Sequence, residues 1–356
     1  MSADLTPCAA LLDALPDPAL MVGPDRRILL ANPAARELFA APLTGASALS
    51  YIRQPEPAAA LEKCLGELAS GSWPTEPSEA RMIHSTPTRE STLRVTIAPL
   101  DPAVGLAAIL VTLRDISQVE EAEQQRRDFV ANVSHEMRSP LTVLAGFIET
   151  LKGPARNDAA ATATFLDIME REAQRMSRLV SDLLSLSRVE SEERVRPRSL
   201  VSMSEVLRAT LAALRPQFED AGVMVNFSDL PEAPAIPGDR DQLVQVFHNL
   251  IENALKYGAS GGKVDVSLDR LEQMPGFTTP VLKVCIRDHG DGIDALHLPR
   301  LTERFYRVDG HRSRSMGGTG LGLAIVKHIV HRHRGRLSIR STRGEGSTFA
   351  VTLPIT

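Results

Sequence analysis

A chain of 356 residues is too long for one ordinary core, so two or three domains are expected. Its 43% apolar and 24% charged residues fit soluble globular material. A net charge of -4 gives no reason to expect nucleic acid or an anionic membrane as partner. Cys8, Cys64 and Cys285 are scattered without metal-ligand spacing and read as reduced thiols of a cytoplasmic protein. The longest apolar run, Ala103 to Leu113, falls far short of the roughly 20 residues that span a bilayer. Asp4, Asp13 and Asp17 interrupt any signal-peptide pattern near Met1. The expected location is therefore cytoplasmic with no membrane span in this chain, a longer form or a partner being the route to a membrane.

The first region, 8–115, mixes short strands and helices. Ala19 to Val22, a Gly23-Pro24-Asp25 turn and Ile28 to Ala31 predict a hairpin. Asn32 to Phe39 predicts a helix with Ala34, Ala35 and Leu38 on one face, and Leu93 to Ile97 and Ala107 to Leu113 predict later strands of the same sheet. A second strand leading into Asn-x-Ala and a helix resembles a PAS sensor domain. The signal is not readable: no Asn-Cys-Arg-Phe flavin motif occurs, and His84 alone is poor evidence for haem.

The charged segment Asp115 to Asp128 holds no Gly or Pro, which predicts a continuous helix running into the second region, 116–190. There Val130, Met137, Leu144 and Leu151 recur at seven, with Val133, Leu141 and Ile148 in neighbouring rows, until Gly153-Pro154 ends the helix. Met169, Met176 and Leu183, flanked by Phe165, Leu179 and Leu186, repeat the pattern. Heptads on both arms of a hairpin make a seam that a second hairpin would cover, giving a four-helix dimer bundle and hence a homodimer. At about 100° per residue, His135 lies roughly 160° around the helix from Met137, and Ser139 sits one turn below it. The run Phe129, then Ala131 to Leu141 with His135-Glu136 and Ser139-Pro140 inside it, resembles the phosphoacceptor box of sensor histidine kinases.

The third region, 200–356, alternates helices (Val206 to Phe218, with Pro216 able to end it early; Asp239 to Tyr257; one from Leu321) with strands (Val264 to Leu268; Val281 to Ile286; two closing strands). That is an α/β sandwich, a mixed sheet with helices on one face, and the whole chain is then multidomain α+β. Four motifs stand here. Asn249 and Asn253 share a helix face and can offer two amide oxygens to one hard cation such as Mg²⁺, while Lys256 can meet phosphate and Tyr257 a base. Asp288, at a strand end, can accept from an exocyclic amine, and Gly290, Gly292 and Ile293 follow it. Gly317, Gly318, Thr319, Gly320, Leu321, Gly322 and Leu323 open a helix, where backbone amides and the helix dipole hold phosphate. The last, Gly344 to Phe349 with Thr348, turns between the closing strands. His328, His331 and His333 read as a solvated helix end rather than a metal cluster.

Any one of these motifs is usually only a turn or a solvated helix face. In this order, after the His135 box, they resemble the N and three glycine boxes of histidine-kinase ATPase domains. Thr302 to Arg307 is similar to that family's F box, and Val308 to Met316 to its ATP lid. The resemblance implies that bound ATP, with Mg²⁺, gives its γ-phosphoryl group to His135, which passes it to an aspartate of a response regulator receiver domain. Glu136 would accept a proton from the other ring nitrogen, and Arg307 would neutralise charge on the transferred group. Ser139, where the family has Thr or Asn, implies regulator phosphatase activity. Leu141 to Leu151 and Leu301 to Asp309 are especially similar to phosphate-regulon kinases of the PhoR type, implying a PhoB-like partner and a role in phosphate starvation. Two rival classes are a conformational ATPase of the gyrase and chaperone kind, which lacks the His135 box, and a scaffold with a degenerate site, against which Asn253, Asp288 and both glycine loops argue.

Overall fold

The computed structural model describes residues 5–355 apart from 71–75, 88, 101–106, 157, 194, 231 and 309–317. The chain divides into two compact units, 1–128 and 129–356.

In the first unit, α1 (Thr6–Asp13) precedes the expected hairpin of β1 (Ala19–Val22) and β2 (Ile28–Ala31). Then come α2 (Pro33–Phe39), α3 (Pro55–Ala69), β3 (Ser78–Ser85), β4 (Glu90–Pro99) and β5 (Ile109–Asp115). The sheet order is β2-β1-β5-β4-β3, all antiparallel. Leu61, Leu65 and Leu68 of α3 share one core with Val95, Ile97 and Val111. Asn32 is fully buried and uses both polar atoms twice. Its Oδ1 accepts from the Ala19 (2.9 Å) and Ala35 (2.8 Å) amides, and its Nδ2 donates to the carbonyls of Leu15 (3.1 Å) and Asp17 (2.9 Å). One side chain thus caps α2 and ties down the approach to β1.

The boundary between the units falls inside α4 (Ser117–Lys152), a single helix through the charged segment and the His135 box. Pro140 lies inside it, so one N–H is missing from the turn that would bond the Glu136 carbonyl. The second arm, α5 (Ala159–Glu192), starts at Asp158, whose carboxylate accepts from the Ala161 amide at 2.9 Å. The arms run antiparallel: Phe147 meets Phe165, with ring centroids 4.7 Å apart, and Glu136 meets Arg175. Val130, Leu141 and Ile148 on α4 and Leu166, Val180 and Leu184 on α5 remain exposed.

The rest of the second unit is the expected sandwich. A short pair, β6 (Leu200–Val201) and β8 (Ile236–Pro237), brackets α6 (Met203–Ala221) and β7 (Met224–Ser228). After them come α7 (Arg240–Gly258), β9 (Lys263–Leu271), β10 (Val281–Asp288), α8 (Gly322–Arg332), β11 (Arg336–Thr342) and β12 (Gly346–Pro354). The sheet runs β11-β12-β10-β9-β7, antiparallel except for the parallel β7–β9 pair. The helix expected over Val206 to Phe218 is not ended by Pro216: α6 continues to Ala221 and stops at Gly222, whose φ is +65°. Pro216 and Ala212 are exposed, so water can take the freed carbonyl, while buried Leu214 and Phe218 hold the far side to the core. Leu179, Leu186 and Val189 of α5 belong to this same core. No helix among the described residues is long and apolar enough to cross a membrane, and the three cysteines are free.

His333 corrects the expectation of a solvated histidine cluster. His331 is exposed beside Glu193 (2.6 Å), and His328 lies within 3.5 Å of Glu190 and 3.4 Å of Glu193, but His333 is buried. Its Nδ1 faces the Ile329 carbonyl (2.7 Å) and its Nε2 accepts from the Asp239 amide (3.0 Å), a pairing that requires the neutral ring with its proton on Nδ1. Burial, with Arg332 beside it, pushes the His333 pKa down. The unfolded chain takes up a proton near pH 6.5 that the folded chain refuses, so this stability is full above that pH and is lost as pH falls below it. The urea midpoint should therefore decline from about pH 7.5 to about pH 5.5, and decline less steeply in His333→Gln; equal slopes would remove His333 from the account.

Candidate functional site

Strand β10 ends at Asp288 beside the C-terminus of α7, and the start of α8 lies across from both. A cavity of about 470 Å³ opens there, with α5 as its remaining wall. Asn249, Asn253, Lys256, Tyr257, Asp288, Gly292, Ile293, Arg307, Gly318, Thr319, Gly320, Gly322 and Leu323 line it, so motifs far apart in the chain meet in one place.

Asp288 is buried, and its Oδ1 accepts from the amides of Gly290 (3.0 Å) and Ser347 (3.2 Å). Burial pushes its carboxyl pKa up, against these hydrogen bonds. The approach is close: a Cβ on Gly258 would sit 2.3 Å from that of Asp288, and one on Gly346 would sit 2.1 Å from the Asp288 carbonyl oxygen. Next to it, burial opposes ionisation of Asp265, but hydrogen bonds from His289, Lys263 and Asn226 hold its pKa down to about 2. Lys256 is salt-bridged to Glu252 at 2.9 Å. The Phe305 amide donates to the Gly320 carbonyl at 2.9 Å, tying the F-box segment to the glycine loop.

Three expected contacts are corrected. Thr348 does not line the cavity; Ser347 and Phe349 do, because side chains alternate along β12 and Thr348 points to the other face. Leu321 is fully buried in the hydrophobic core. Gly290 acts behind the wall, through its amide on Asp288. Of the expected lid, Val308 to Met316, residues 309–316 lie outside the described residues, as does Gly317 of the glycine motif.

The residues of α4 are separate from the cavity. His135 and Ser139 are exposed on the helix and do not line it. Glu136, expected to serve His135, is held in ion pairs, 2.7 Å from Arg175 Nη2 and 3.4 Å from Arg307 Nη2. Arg307 also donates to the Gly318 carbonyl, while its buried Nε has no hydrogen-bond partner among the described residues. Burial, set against Glu136, pushes the guanidinium pKa down. Sequence reasoning missed Arg178, Asp182, His248 and Glu252 on the wall. His248 and Glu252 flank the asparagines on α7 and could have been found from helical spacing; nothing local marks Arg178 or Asp182.

Chemically, a buried carboxylate at one end, amide oxygens and a lysine at the centre and a glycine loop at the other suit a base joined to phosphates. The donors also fit a hard cation. The Asn253 side chain makes no hydrogen bond among the described residues, and the Asn249 side chain commits only its Nδ2, to the Gly322 carbonyl at 3.4 Å, so both amide oxygens are available.

Three domain families match the chain: a PAS fold over 12–121, a His Kinase A (phospho-acceptor) domain over 125–192, and a histidine kinase-, DNA gyrase B- and HSP90-like ATPase over 238–356. The phosphate regulon sensor protein PhoR of Pseudomonas aeruginosa is 42% identical over 243 residues, covering 67% of this chain and 52% of that protein. The sensor protein kinase WalK of Staphylococcus aureus is 36% identical over 263 residues, covering 73% and 61%. The chain thus spans between about half and three-fifths of the length of these relatives. A solved histidine kinase, ThkA, in complex with the response regulator protein TrrA, shares the fold over 98% of both chains, with a TM-score of 0.51 and 21% identity.

Gly258→Ala should push Asp288 off its hydrogen bonds, lowering Tm by about 5 °C or more and abolishing binding of an adenine nucleotide. Gly66→Ala, in α3 with nothing within 4 Å of the added carbon, should be neutral or stabilising. Thermal shift with and without nucleotide separates the two.

Proposed function

We propose, from the premise that this chain belongs to the sensor histidine kinases, that it transfers the γ-phosphoryl group of ATP to His135 and then to an aspartate of a response regulator. The observation that carries this reading is the convergence of Asn249 to Tyr257, Asp288 to Ile293 and Gly318 to Leu323 on one cavity, in the same chain as an exposed histidine followed by a carboxylate. The working modules are a sensor at 8–115, a dimerisation and phosphoacceptor hairpin at 116–190 and an ATPase domain at 200–356.

Asp288 accepts from the adenine amine, Lys256 and the glycine loop hold phosphates, and Asn249 and Asn253 hold Mg²⁺. The bound ion supplies neutralisation of phosphate charge. A neutral nitrogen of His135 attacks the γ-phosphorus, the bond to the bridging oxygen breaks and ADP leaves. Glu136 takes the proton from the other ring nitrogen, and Arg307 offsets charge on the group in transit. Positioning supplies most of the acceleration. In the opposing, phosphatase activity Ser139 orients a water that attacks the aspartyl phosphate of the regulator, freeing the aspartate and releasing inorganic phosphate.

The likeness to PhoR supports a phosphate-starvation pathway, with a PhoB-like receiver domain as partner. A cytoplasmic location accords with that partner. Exposed Val130 and Leu141 on α4 and Leu166 and Val180 on α5 support a homodimer through a second hairpin, since apolar rows of this size are stable in water only when covered.

Incubated with γ-labelled ATP, the chain should acquire label, and His135→Ala should not; label that survives the substitution overturns the reading. Offered the labelled protein, a PhoB-like receiver should discharge it faster than other receivers. Ser139→Ala should keep autophosphorylation and lose most regulator dephosphorylation, and equal dephosphorylation by both proteins would sink the role given to Ser139. Leu166→Glu with Val180→Glu should convert the dimer to monomer by light scattering.

A further inference from the structure

Two residues of the cavity wall come from the hairpin rather than from the sandwich that carries its motifs. Arg178 and Asp182 stand one turn apart on α5 and reach the cavity from the hairpin. The Thr319 hydroxyl donates to Asp182 Oδ2 at 2.6 Å, while its oxygen lies 3.3 Å from the Leu321 amide at the start of α8. Asp182 is only partly exposed, and its carboxyl is pushed up by burial and, further, by Glu252 across the cavity, while Thr319, Arg178 and Lys256 act in the opposite sense.

A hydroxyl has one proton to give. While Thr319 gives it to Asp182, it cannot give it to a phosphate oxygen. A carboxylate in a partly dry pocket also repels added negative charge far more than it would in water. We infer that Asp182 is an internal competitor for nucleotide phosphate, holding the glycine loop against α5 in a resting state that bound ATP must displace. This rests on the reading of the cavity as an ATP site.

Other contacts on the same faces fit a resting state. Phe305 stacks against Phe129 with centroids 5.9 Å apart, Arg304 meets Glu190 at 2.5 Å, and Arg307 pairs with Glu136. The charge neutraliser and the proton acceptor are thus occupied with each other. A nucleotide that takes over Thr319 removes one link of this set, and by linkage any change that breaks the link first must tighten nucleotide binding.

The experiment is calorimetric titration of the full chain and of two variants with a non-hydrolysable ATP analogue and Mg²⁺, and separately with adenosine. Asp182→Ala should bind the analogue roughly tenfold more tightly than the parent. Asp182→Asn, which keeps an acceptor for Thr319 but no charge, should fall between. Adenosine, lacking phosphate, should bind all three alike. Analogue affinities equal to or weaker than the parent's in both variants overturn the inference, as does an equal gain for adenosine, which would mean general loosening. A parent that binds no analogue overturns the ATP-site reading and the competitor with it.

Discussion

A carboxylate that must be dry and yet ionisable sets the geometry around it. Asp288 is 4% exposed at the end of the middle strand of its sheet, and an unsatisfied carboxylate there would cost several kcal/mol. Two backbone amides meet it, and the chain can bring them close enough only where side chains are missing. Pairing of β10 with β12 sets Asp288 opposite Ser347, and Gly258 lets the end of α7 press against it. Once α7 is pinned at that end, helical rise does the rest. Asn253 and Asn249 fall about 7.5 and 13.5 Å back along the axis, which fixes how far the cation donors stand from the base end of the cavity.

The opposite wall comes from the hairpin, and its character is different. The α7 side offers free amide oxygens, whereas the α5 side offers a carboxylate already bonded to the glycine loop. Arg175, Glu136, Arg307 and the Gly318 carbonyl form a chain of charge-assisted bonds from α5 through α4 to that same loop. The site is therefore assembled from groups on separate helices, and its electrostatic balance depends on how the hairpin meets the sandwich core, α4 through Phe129 and Met137 and α5 through Leu179, Leu186 and Val189.

Long periodic patterns were readable before any coordinates, because burial of a helix stripe repeats many times over. The heptads of α4 and α5, the unbroken charged helix and the strands ending at Asp288 all belong to this class. Single-residue placements were harder. Side chains alternate with period two in a strand, so the difference between Thr348 and Ser347 needs the register of β12, which no local pattern states. Burial of His333 depends on Asp239, far away in sequence, and the run of α6 through Pro216 depends on Leu214 and Phe218 finding a core. Asp182 was invisible for the same reason. By contrast α3 was available in the sequence: Leu61, Cys64, Leu65 and Leu68 follow helical spacing and are all buried.

Pro140 makes α4 mechanically uneven. Pro140 lies inside that helix and has no N–H to give, so the turn from Glu136 to Pro140 is one hydrogen bond short and bends more easily than a turn without proline. A uniform rod passes rotation along its length unchanged, whereas a rod with one compliant joint converts part of it into flexure at the joint. In this chain the joint begins one residue after His135, so strain fed into the helix from either end concentrates beside the imidazole.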